Sequence, residues 1–87
     1  MAALLVTYSL NNPQHNYSNF FDSIESYPWR KLSESSYAIR TQQSPKEIFE
    51  ALGETLSTND SLYVITLKRP YFGHGPQEVN SWLKTEL

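Results

Sequence analysis

Only two histidines, His15 and His74, and no cysteine stand among the 87 residues, so few side chains can carry acid–base or nucleophilic work. A hydrolytic centre needs a carboxylate pair, a histidine base or a metal cluster. Neither histidine has a second at ligand spacing, and the lack of cysteine removes thiolate nucleophiles, thiolate zinc sites and disulfides. His15 precedes the first helical pattern and His74 lies within Gly73-His74-Gly75, so both are expected as exposed loop residues. The two glycines do not form a phosphate loop, because no Lys-Ser/Thr follows and no strand-to-helix Walker pattern surrounds them. Asp60 opens a turn-forming run and is expected to hydrogen-bond its own turn rather than a metal. Ser9 has no base fixed beside it, which leaves Ser9 and Asn11 as polar candidates without a catalytic set. No cofactor is expected.

The charges point elsewhere. Seven of the nine acids (Asp22, Glu25, Glu47, Glu50, Glu54, Glu78, Glu86) fall on helical patterns, whereas Arg30, Lys31, Arg40, Lys68 and Arg69, five of the seven bases, fall on strands or their ends. An acidic helix side and a basic sheet rim are the expectation. With Trp29, Tyr37, Tyr71 and Phe72 nearby, such a rim combines phosphate-tracking cations with stacking aromatics. Edge-strand charges that prevent aggregation are the plainer account of the same residues. The net charge of −2 limits any RNA or DNA binding to weak, salt-dependent contacts. A protein partner gripping Trp29, Tyr71 and Phe72 is the other use of this surface.

The elements that must position these residues follow from periodicity. Residues 2–10 read as a strand that is apolar on both faces, with Leu4, Val6 and Tyr8 on one and Ala3, Leu5 and Thr7 on the other. Tyr17, Phe20, Phe21, Ile24 and Tyr27 recur at helical spacing, with Asn16 as the expected N-cap and Pro28 as the stop. Residues 29–41 read as a hairpin bending near Glu34-Ser35. Ser44-Pro45-Lys46-Glu47 is a capping box with proline at the first helical position. Ile48, Phe49, Leu52 and Leu56 continue it as an amphipathic helix. Residues 62–67 form a strand with Leu62 and Val64 on one side and Tyr63, Ile65 and Leu67 on the other. After an irregular stretch over 69–76, Val79, Trp82, Leu83 and Leu87 mark a short closing helix.

Eighty-seven residues leave room for one domain. An apolar share of 39% with 14% aromatic residues is that of a folding chain. The opening run has no basic region, and no apolar run nears membrane-spanning length, so a cytoplasmic protein without membrane contact is expected. The order β-α-β-β-α-β-α predicts an α+β, ferredoxin-like βαββαβ domain over 1–87. Its core covers 2–67, with a four-stranded antiparallel sheet carrying both main helices on one face, and a loop and helix follow over 68–87. The first and last strands carry apolar residues on their second face too. A partner should cover it, most simply a second copy of the chain packed sheet to sheet about a two-fold axis.

Leu4-Leu5-Val6-Thr7-Tyr8-Ser9-Leu10-Asn11, Trp29-Arg30-Lys31-Leu32, Ser35-Ser36-Tyr37-Ala38-Ile39-Arg40 and Asp60-Ser61-Leu62-Tyr63-Val64-Ile65 carry a resemblance. Over residues 2–67 the chain resembles the small bacterial and phage proteins labelled SinR-like, which in turn resemble the second CRISPR-associated protein and the VapD toxins. The resemblance implies a homodimer with facing sheets, in a defence or mobile-element setting. Nucleases of this group place an Asp near the end of the first strand to hold magnesium at the dimer axis, and here that position is Ser9. A hydroxyl brings no charge to offset the ion's dehydration, and Asn11 could add only a neutral oxygen. The resemblance thus implies a catalytically degraded relative that binds nucleic acid or protein. Magnesium enters only under the alternative of a surviving ribonuclease or deoxyribonuclease. A third possibility is an inhibitor of a host defence complex, carried by a phage or mobile element.

Overall fold

The computed structural model describes residues 2–87; Met1 lies outside them. The chain runs β1 (Ala2–Ser9), α1 (Ser18–Ile24), β2 (Trp29–Ser33), β3 (Ser36–Thr41), α2 (Pro45–Gly53), β4 (Ser61–Leu67) and α3 (Gln77–Glu86). The strands form one antiparallel sheet in the order β2-β3-β1-β4. This α+β architecture is consistent with a ferredoxin-like fold. Among the described residues no helix is long and apolar enough to cross a membrane.

Alternation along the strands splits the sheet into two faces. Leu4, Val6 and Tyr8 of β1 and Tyr37 and Ile39 of β3 are buried on the inner face against Phe20 and Ile24 of α1 and Ile48 and Leu52 of α2. Each fully buried Leu, Ile or Phe here contributes about 1.5–3 kcal/mol. Leu62 and Val64 of β4 pack against the same cluster.

α2 begins as its residues require: Ser44 Oγ accepts the Glu47 N–H at 3.2 Å, and the Ser44 N–H donates to Glu47 Oε1 at 3.0 Å. α1 departs from expectation at both ends. Tyr17, not Asn16, occupies its N-cap, while Asn16 Oδ1 accepts the Ser18 N–H at 2.9 Å from one residue further out. The helix stops at Ile24 rather than running to Tyr27. The Ser26 hydroxyl donates to the Ser23 carbonyl at 2.6 Å, and Pro28 follows two residues later, which together close the helix into a turn.

The outer face holds the main architectural surprise. α3 lies across it, placing Val79 and Leu83 on Ala38, with Leu32, Leu67, Tyr71, Trp82 and Leu87 around them. Part of the surface expected to need a second copy is therefore covered from within the chain. The cover is partial: on the β1–β4 half, Tyr63 and Ile65 are 65% and 51% exposed.

Candidate functional site

The five bases expected to form a rim are divided among different tasks. Arg40 Nε lies 3.1 Å from Glu86 Oε2, an ion pair joining β3 to the last turn of α3. Arg69 Nε donates to the Leu87 main-chain oxygen at 2.6 Å and its terminal nitrogen to the Lys84 carbonyl at 2.9 Å. These two guanidinium groups anchor a helix. Lys31 stands over the Tyr37 ring, 5.7 Å from its centroid, and Arg30 donates to the Trp29 carbonyl at 3.1 Å. Lys68 is exposed after β4.

The aromatics are not gathered either. Trp29 meets Tyr37 edge to face at 5.4 Å and belongs to the inner-face cluster, whereas Tyr71 packs with the outer-face cluster beneath α3. Phe72 is fully exposed in the loop between β4 and α3. With His74 and Tyr71 it borders an apolar cleft of about 270 Å³ beside Leu67 and Leu83. Trp29 and Tyr71 thus pack on opposite faces of the sheet.

At the end of β1, Ser9 Oγ donates to Asn11 Oδ1 at 3.3 Å. Asn11 reaches across to the turn before β4: its side-chain amide donates to the Asn59 carbonyl at 2.9 Å and its N–H to Asp60 Oδ1 at 2.7 Å. Asp60 is the hub of this end. Its Oδ1 also accepts the Tyr17 hydroxyl at 2.7 Å, and its Oδ2 accepts the Ser57 N–H at 2.8 Å and the Ser57 hydroxyl at 3.0 Å. Desolvation pushes this carboxyl's pKa upward, but the donors from Asn11, Tyr17 and Ser57 outweigh it and hold the pKa at about 2. Sequence reading found the bond of Asp60 to its own turn and missed the links to Asn11 and Tyr17.

This donor set does not fit magnesium. Its one carboxylate already accepts four hydrogen bonds, and Ser9 and Asn11 add neutral oxygens. Among the described residues no three His, Asp or Glu side chains gather at one point. Ser9 borders an open hollow of about 530 Å³ with Tyr8, Phe21 and Glu34, and neither histidine lines it. His15 is half-buried rather than exposed. Its Nε2 donates to the Thr55 carbonyl at 2.8 Å, and its ring packs on Tyr17 at 4.7 Å. Glu25 is likewise engaged, accepting the Tyr37 hydroxyl at 2.8 Å. Burial first, then Glu25, pushes the Tyr37 pKa well above the usual phenol range.

An apolar strip stays open on the outer face, where Tyr63 and Ile65 are exposed. Strand register places Leu5 beside Ile65 and Thr7 beside Tyr63 on the outer face, next to α3. Comparison of the chain with protein-family models, curated proteins and solved structures returned no match.

Proposed function

We propose that this chain is a non-catalytic, self-associating binding protein: a homodimer of ferredoxin-like units whose working contacts are with protein. In this reading it is a cytoplasmic, catalytically degraded relative of the SinR-like and CRISPR-associated small-nuclease group, serving a defence system or mobile element. The resemblance of its strands supports the lineage. The observation that carries the binding role is the exposure of Tyr63 and Ile65 on the half of the outer face that α3 leaves open. An aromatic and a branched aliphatic side by side in water are satisfied by another polypeptide surface.

Protein is favoured over nucleic acid because Arg40 and Arg69 already hold α3. Of the five bases of the expected rim, this leaves Arg30, Lys31 and Lys68 to phosphates on a chain of net charge −2, so RNA or DNA binding is weak and falls with salt. Light scattering of purified protein, paired with a magnesium-dependent cleavage assay on RNA and DNA, tests the proposal. A dimer at micromolar concentration that Ile65→Lys dissociates, with no cleavage above a Ser9→Ala control, is the expected result. A monomeric wild type or robust magnesium-dependent turnover would overturn it.

A further inference from the structure

We infer that the free edge of β4 is the joint between two copies: their β4 strands pair antiparallel about a two-fold axis at Val64, fusing two four-stranded sheets into one of eight strands. This rests on the self-association proposed above and names the surface that performs it.

The two edges of the sheet are built differently. β2 is five residues long, presents exposed Arg30 and Lys31, and has an irregular register between Lys31 and Ser33. Short length, charge and a bulge are the devices that keep an edge from pairing. β4 has none of them. It is seven residues long, holds no charge, proline or glycine, and pairs with β1 without interruption from Ala3↔Leu67 to Ser9↔Ser61. No strand lies on its other side, so half of its N–H and C=O groups point at an open edge.

The occupant follows from the strand's own sequence. With Val64 on the axis, Tyr63 stands opposite the partner's Ile65, an aromatic against a β-branched side chain, and the pair occurs twice. Leu62 stands opposite the partner's Thr66. Just beyond the strand ends, Asp60 and the partner's Lys68 fall at matching positions, again twice. The Asp60 carboxylate is held by the neutral donors of Asn11, Tyr17 and Ser57, so this is a favourable placement of opposite charges rather than a direct contact. Lys68 is exposed and has no ion-pair partner among the described residues. A parallel pairing would instead set Asp60 against Asp60 and Lys68 against Lys68. Moving the axis to Tyr63 or Ile65 places Asp60 opposite Thr66 or Pro70, loses that placement of opposite charges and sets Tyr63 against Tyr63 or Ile65 against Ile65. The exposed Tyr63 and Ile65, which stand opposite each other only in this register, together with the placement of opposite charges, favour a second copy in this direction and register.

The lack of cysteine makes the register directly readable. In this arrangement Tyr63→Cys and Ile65→Cys proteins, mixed and oxidised, form a disulfide-linked dimer. Each alone does not, because like positions lie about 8 Å apart given a rise of ~3.4 Å per residue, beyond the ~7 Å Cα reach of a disulfide. Thr66→Lys, an exposed change outside the core, should abolish the dimer peak in light scattering while the circular dichroism spectrum stays unchanged. A wild-type dimer whose mixed variants fail to cross-link, or a Thr66→Lys protein that remains dimeric, overturns the edge joint and leaves self-association standing. A monomeric wild type overturns both.

Discussion

Arg40 and Glu86, at the end of β3 and the end of α3, meet at 3.1 Å across the outer face of the sheet. With Arg69 donating to the Lys84 and Leu87 main-chain oxygens, two cations meet the turn where the helix dipole leaves partial negative charge. Val79 and Leu83 supply the apolar grip on Ala38. α3 is thus a third wall of the domain, held in place by Arg40 and Arg69.

Arg69→Ala should therefore act on stability. It removes two charge-assisted hydrogen bonds at an exposed site, and about 1–2 kcal/mol of unfolding free energy should go with them. Arg40→Ala, which loses one half-exposed ion pair, should cost under about 1 kcal/mol. Denaturant titration gives both values, and hydrogen exchange should show the amides of α3 opening first in Arg69→Ala. Equal protection of α3 in variant and wild type would refute the anchoring role.

Ser44→Ala should cost about 1 kcal/mol by removing the acceptor for the Glu47 N–H. An unchanged denaturation midpoint would show the cap to be without effect.

The contrast between these two anchors explains what could be read in advance. Ser44 and Glu47 are three residues apart, so their reciprocal bonding is local and visible in the chain. Arg40 and Glu86 are brought together only when α3 crosses the sheet, and no spacing rule announces that meeting. The two-faced apolar pattern of β1 and β4 calls for cover on both sides of the sheet; α3 covers part of the outer face, and Tyr63 and Ile65 stay exposed. The pattern could not say that α3 supplies part of the cover, because a helix docked over a face and a second molecule leave the same trace in a strand. Asp60 falls between these cases: its bonds to Ser57 are local turn chemistry, whereas those to Asn11 and Tyr17 depend on the end of β1 and the start of α1 meeting the turn before β4.

The Asp60 hub gives the protein a defined acid sensitivity. A carboxyl held near 2 when folded and near 3.9 when unfolded contributes stability that is complete above the unfolded value and is lost as pH falls toward 2. Unfolding midpoints followed from pH 5 down to pH 2 should drop for the wild type. In Asp60→Asn the curve should start lower and flatten over the same range. Identical pH profiles would mean that the four donors do not hold the ionised form.

Ser9 and Asn11 sit side by side, yet structure and catalysis predict opposite patterns for them. A catalytic pair would lose turnover when either is truncated, with stability little changed. The hydrogen bonds give the reverse. The Ser9 hydroxyl has only the exposed 3.3 Å contact to Asn11 Oδ1, so Ser9→Ala should leave the unfolding free energy within about 0.5 kcal/mol of wild type. The Asn11 amide bridges to the Asn59 carbonyl at 2.9 Å, and Asn11→Ala should cost about 0.5–1.5 kcal/mol. That loss should shrink when Asp60→Asn is already present, since both residues tie the end of β1 to the turn before β4 and neighbouring sites do not add. Cleavage of RNA or DNA with magnesium should stay at background in both single variants and in wild type. A Ser9→Ala protein of unaltered stability that loses a measurable wild-type cleavage activity would reverse this assignment and make Ser9 a catalytic residue.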